Sequence, residues 1–190
     1  RHDAALAVIA DAERYYEAET YKDDQLARGK ALHAQLVAAR RELGAAMRAL
    51  EDGLSQIEDA QAAAEVKARA GDPDYGYWFR AFNLEAKRYL AAMRRDADAA
   101  HQAAATTALR AAHDALAAFV AGKGSGLASG FSTYVGAADT FWAASQKLVR
   151  QRQGTPSETG DAERGLVTAY NGLIQTGNFL YELEASHALK

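Results

Sequence analysis

The chain has 190 residues, 49% hydrophobic and 25% charged, with 22 basic against 25 acidic side chains and a net charge of −3. No basic block offers a footprint for nucleic acid, since the pairs Arg40-Arg41 and Arg94-Arg95 are too short. Cysteine is absent, which excludes disulfides, thiol nucleophiles and cysteine metal sites within the chain, and seven valines, three isoleucines and two prolines in an alanine-rich sequence argue against any large sheet.

The first predicted helix, about 3–19, sets Leu6, Ile9 and Tyr16 at helical spacing. It ends in a tyrosine-rich corner, Tyr15, Tyr16 and Tyr21, before Lys22-Asp23-Asp24, where either aspartate suits the amides of the next helix. The second helix, about 24–70, carries Leu32, Leu36, Leu43, Met47, Leu50, Leu54 and Ile57. From Leu43 the steps alternate four and three, which keeps one seam on one side. Gly44 and Gly53 interrupt it and allow a bend.

Gly71 then suits a left-handed C′ position, Asp72 a cap, and Pro73 the first turn of a return helix, about 73–121. At 1.5 Å per residue each arm of this hairpin spans about 70 Å. Tyr75, Tyr77, Trp78, Phe79 and Phe82 crowd its tip. One reading closes the hairpin with them, Trp78 and Phe79 or Phe82 lying against Glu58 to Val66. The other makes them an exposed patch for another protein or a second copy.

Residues 122–130 form a glycine-rich connector. Gly124-x-Gly126 lacks the preceding strand and the Gly-Lys-Ser/Thr ending of a phosphate-binding loop. The next helix, about 130–152, is strongly amphipathic, with Phe141 and Trp142 expected in the core. Thr155-Pro156-Ser157-Glu158 makes a capping box if the last helix starts early; otherwise that helix covers about 161–187. It reaches only about 40 Å along the arms, so the distal hairpin should protrude or be covered by a bend. The whole chain, 1–190, reads as one all-α domain: an elongated antiparallel bundle of about five helices built around a long helical hairpin. The longest apolar run, Ala115 to Ala121, is far short of a membrane span.

Two histidines follow a carboxylate by three residues: Asp98 before His101 and Glu184 before His187. Di-iron bundles use Glu-x-x-His on two helices because i and i+3 project together. Only one pair here is a true Glu-x-x-His, and solvent-facing histidines account for both. No Gly-x-Ser-x-Gly appears. No catalytic residue, metal ligand or cofactor is therefore assigned.

Tyr15-Tyr16, Tyr21-Lys22-Asp23-Asp24, Ala27, Gly29-Lys30, Leu32-His33 and Leu36, with Tyr170-Asn171, Leu173-Ile174 and Asn178, resemble the YiiG-like family of bacterial lipoproteins, a family of unknown function. The resemblance covers about 40 residues in two blocks, and Ala34 stands where a proline often follows the histidine. It implies an all-helical envelope protein, periplasm-facing and tethered by a lipidated cysteine upstream of Arg1, and it implies no activity.

Counting heights along the bundle puts His33 and Asn178 in one layer, about 14 Å from the same end, with Asn171 a heptad further on. Asparagine suits a helix interior poorly unless its amide bonds a neighbour. Tyr15, Tyr16, Tyr21, His33, Asn171 and Asn178 are thus expected to converge in a buried polar network or a ligand cleft. The functional expectation is a non-catalytic envelope protein that binds a partner or scaffolds, with contact to the membrane only through its anchor. A small-molecule or metal-binding bundle is the alternative, and a di-iron-type oxidase a third.

Overall fold

A computed structural model describes residues 2–93, 98–152 and 155–186. Among them the chain forms six helices and no strand: α1 His2–Glu17, α2 Ala27–Arg69, α3 Tyr75–Ala92, α4 Ala99–Lys123, α5 Ser129–Gln151 and α6 Pro156–Ala185. The fold is the all-α bundle that the composition predicts, with one helix more than expected because the return arm breaks. α3 closes at Met93, and Asp98 opens α4 by accepting the His101 amide at 2.7 Å as an N-cap. Arg152 secures this corner from the end of α5: its guanidinium donates to the Met93 carbonyl and, at 2.6 Å, to Gln102 Oε1. Arg94 and Arg95 lie outside the described residues.

Other boundaries shift for local reasons. α2 runs unbroken through Gly44 and Gly53. Gly71 does not take a positive φ, and Asp74 rather than Asp72 caps α3, accepting the Tyr77 amide at 2.8 Å. α6 starts at Pro156, before the predicted Asp161, because Thr155 and Glu158 form the capping box. The glycine connector is held by Tyr75, whose hydroxyl donates to the Gly126 carbonyl at 3.1 Å and accepts the Ala128 amide at 3.3 Å. Gly124 there has φ 53°, a conformation that suits glycine.

The helices sort into two compact units, residues 1–58 and 59–190, with the boundary inside α2. The first holds α1, a 3₁₀ turn at Thr20–Lys22 and most of α2. In it Tyr15 and Leu32 are buried. The second holds α3 to α6 as a packed four-helix core, with α5 beside α6 and α3 beside α4. Phe79, Phe82, Tyr89, Leu109, Leu116, Phe131, Tyr134, Phe141, Leu148, Leu173 and Leu180 are its fully buried large side chains.

The hairpin-tip rings correct the sequence expectation. Tyr75, Phe79 and Phe82 are buried in this core, and Tyr77 and Trp78 are half-buried, so the five do not form an exposed partner patch. Nor do they close on Glu58 to Val66. Trp78 stacks on Phe119 at 5.2 Å, Phe79 meets Tyr181 at 4.8 Å, and Phe82 meets Phe141 at 6.4 Å. No described α2 side chain belongs to the core. The break in the return arm supplies the reason: it surrounds α3 with three helices rich in large apolar groups, whereas the facing part of α2 offers alanines and charges. That part joins through ion pairs instead, Asp59 to Lys87 at 2.9 Å and Glu65 to Arg80 at 3.5 Å. Phe141 is fully buried against α3 and α6, and Trp142 is half-buried, stacked on His113 at 5.3 Å.

Candidate functional sites

In the first unit the tyrosine corner is built around Asp24. The Tyr15 hydroxyl donates to Asp24 Oδ1 at 2.7 Å, and the same carboxylate accepts the Leu26 and Arg28 amides, each at 3.0 Å. Asp24 is therefore the residue that caps α2. The connection is tight enough to force positive φ on Glu19, Gln25 and Leu26. Tyr16 stacks edge-on to Tyr15 at 5.0 Å and lies 6.0 Å from Tyr21. A Cβ at Gly29 would lie 2.9 Å from the Tyr16 hydroxyl, so the glycine is what admits both rings. His33 is exposed and, with Tyr16 and Gly29, lines a shallow pocket.

The Tyr15 bond, then the Arg28 amide, holds the Asp24 carboxyl below its ordinary range, and burial, then the same bond, pushes the Tyr15 phenol up. A depressed folded pKa gives a contribution that is complete above the unfolded value of about 3.9 and is lost as pH falls through the folded value. Acid titration followed by tyrosine near-ultraviolet circular dichroism should therefore change only below about pH 4. Asp24→Asn should abolish that transition; an unchanged titration in the variant would show that another group controls the corner.

In the second unit the Arg80 guanidinium lies against both the Phe79 and Tyr181 rings, 4.6 and 4.4 Å from their centroids. It donates to Glu184 at 2.6 Å and to the Gly76 carbonyl at 3.0 Å, while Arg69 reaches the other Glu184 oxygen at 2.7 Å. A Cβ at Gly76 would lie 2.5 Å from that carboxylate, so glycine lets α3 pass at this distance. One turn along α3, the Tyr134 hydroxyl donates to Asn83 Oδ1 at 2.8 Å, with the Phe79 carbonyl at 3.0 Å. Burial raises the Tyr134 phenol well above its ordinary value and keeps it a donor. Asn83 in turn lies over Gly177, where a Cβ would come within 2.8 Å of its amide nitrogen.

Arg80, Asn83, Lys87, Tyr170, Asn178 and Tyr181 line much of a pocket of about 160 Å³. Asn178 is exposed at its rim, and Asn171 is exposed as well. The interhelical amide expected of Asn171 and Asn178 is supplied instead by Asn83, which is half-buried and which the sequence reading did not single out. Its signal was available: an asparagine inside α3 between two core positions, Phe82 and Leu84. His33 belongs to the first unit and Asn171 and Asn178 to the second, and all three are exposed, so none of them sits in the buried network expected of this layer.

The carboxylate–histidine spacings serve other ends. Asp98 is an N-cap, Glu184 is bound to two arginines, and His187 lies outside the described residues. Among the described residues no group of three or more His, Asp or Glu side chains is placed to hold a metal ion. His113, on α4, has Nε2 2.9 Å from Asp139 of α5 and its ring face on Trp142. The carboxylate and the indole together hold this imidazole as an interhelical packing element. A groove of about 610 Å³ between α5 and α6 is lined by small residues, including Gly136, Ala137, Thr140, Gly165, Ala169 and Gly172.

The seam of α2 stands apart from these. Leu43 is 38% exposed, Met47 55%, Leu50 65%, Leu54 52% and Ile57 58%. Five large apolar side chains in one row are thus left in water, although the second unit completes its own core.

An all-helical bundle whose long α2 keeps an apolar seam facing solvent is a class defined by architecture. Within it, this chain is a member of the family described as protein of unknown function (DUF3829), whose family model matches residues 4–174. Comparisons with curated proteins and with solved structures give no match. No described helix is long and apolar enough to cross a membrane.

Proposed function

We propose that this chain is a non-catalytic docking module of the bacterial cell envelope, with α2 as its docking element. The exposed seam from Leu43 to Ile57 carries the reading. Keeping five large side chains in water forgoes the stabilisation that burial gives, about 1.5–3 kcal/mol for each when complete, and a partner recovers it. The YiiG-like resemblance supports a periplasm-facing location with a lipidated cysteine upstream of Arg1. The test is photo-crosslinking in cells that express the full-length protein, with a photoreactive residue placed singly along α2. Protein adducts from positions 47, 50 and 54, none from the opposite face at 45, 49 and 56, and recovery in the membrane fraction are the expected results. Adducts independent of helical phase, or no adducts, would overturn it. Small-ligand binding is favoured by one observation, the 610 Å³ groove between α5 and α6; a ligand screen that raises the melting temperature of the wild type but not of Gly165→Leu would support that reading.

A further inference from the structure

We infer that the partner of the α2 seam is a second copy of this chain, paired antiparallel about a two-fold axis between Met47 and Leu50; this rests on the docking reading above. The steps from Leu36 through Leu43, Met47, Leu50, Leu54 and Ile57 are seven, four, three, four and three, so the row holds one heptad phase over three heptads within a single helix. The five residues from Leu43 on are all exposed beyond a third of their surface. Flanking the seam on one side, every seventh residue is small: Ala39, Ala46, Gly53 and Ala60. Such a flank lets two helices approach closely.

Charge decides direction. The amino-terminal half of the row carries Arg40, Arg41 and Arg48 against one acid, Glu42, and the carboxy-terminal half carries Glu51, Asp52 and Glu58 with no base. In an antiparallel pair, Leu43 packs on Leu54 of the second copy and Met47 on its Leu50. At that register Arg48 faces Glu51, Arg41 faces Glu58, and Arg40 lies over Ile57, all of the second copy, with its head free to reach water. The small flanks also meet, Ala46 against Gly53. A parallel pair instead puts Arg40 against Arg40 across the seam and lines basic half with basic half. The contact is isologous and closes on itself, so it makes dimers rather than fibres.

The absence of cysteine makes the test clean. Leu43→Cys and Leu54→Cys are prepared separately in residues 1–190, both at exposed positions, and oxidised alone and mixed. The antiparallel pair predicts disulfide-linked dimer chiefly in the mixture, at least about fivefold above either protein alone, because like positions lie about 16 Å apart along the axis. Efficient linking of each protein with itself would indicate a parallel pair and overturn the inference. A second measurement avoids cysteines: Arg48→Glu and Glu51→Arg should each weaken dimerisation about fivefold at low salt, and mixing the two variants should restore it. A chain that light scattering finds monomeric at about 100 μM, with no linking in any mixture, also overturns self-pairing. In that outcome, seam adducts to a different protein in cells leave the docking reading standing, whereas loss of those adducts removes both.

Discussion

Replacing Phe141 with alanine should cost about 4 kcal/mol of unfolding free energy. The ring is fully buried, with Phe82 at 6.4 Å, Tyr89 at 6.2 Å and Tyr170 at 5.9 Å between centroids. These neighbours come from α3 and α6, so the ring on α5 joins three helices. The void will not collapse easily. Tyr89 is fixed by its hydroxyl bond to the Ser145 carbonyl at 3.2 Å, and Phe82 is itself fully buried. Trp142→Ala, one position on, removes a larger but half-exposed ring whose main partner is His113, and should cost about half as much. Trp78 and Trp142 are the chain's two tryptophans and both lie in the second unit, so their fluorescence in urea reports on that unit alone. Equal losses in the two variants at constant m would refute the distinction between core ring and rim ring.

The helices were legible because their signals are local. Apolar spacing identified the seam of α2, the stripe of α5 and the stripes of α6; the capping box from Thr155 to Glu158, read only as the alternative to a start at Asp161, is where α6 begins. The break between α3 and α4 was not legible. The stretch after Met93 has no glycine or proline, and its only markers are Asp96 and Asp98, aspartates that read equally well as helical surface charges. Missing that break sent Trp78, Phe79 and Phe82 to the wrong neighbours. The sites failed for a related reason. Glu184 was visible on the α6 stripe, but its partners Arg69 and Arg80 are more than a hundred residues away, and nothing in helical periodicity pairs them. Asn83 and Gly177 meet only once α3 lies on α6. Periodicity likewise shows that α2 has an apolar face, while its exposure depends on what covers it, which is a tertiary fact.

Arg80→Met should cost about 2 kcal/mol, and the partner substitution should give part of it back. The Arg80 side chain is 10% exposed and Glu184 24%. Breaking a fully buried pair costs about 3–5 kcal/mol; two features lower that here. Glu184 keeps some access to water, and Arg69 still holds its other oxygen at 2.7 Å. Methionine keeps an apolar stem against Phe79 and Tyr181, so the lost quantities are the charge, its two ring contacts, the bond to the Gly76 carbonyl and the ion pair with Glu65. The remaining carboxylate is then the costly group, partly desolvated and held by one cation. Arg80→Met combined with Glu184→Leu removes it, and the double variant should be more stable than Arg80→Met alone. Urea unfolding of the wild type, both single variants and the double variant closes the cycle. A double variant no more stable than the Arg80→Met single would mean that Glu184 is content without Arg80. The guanidinium would then act through its stacking on the two rings rather than through the ion pair.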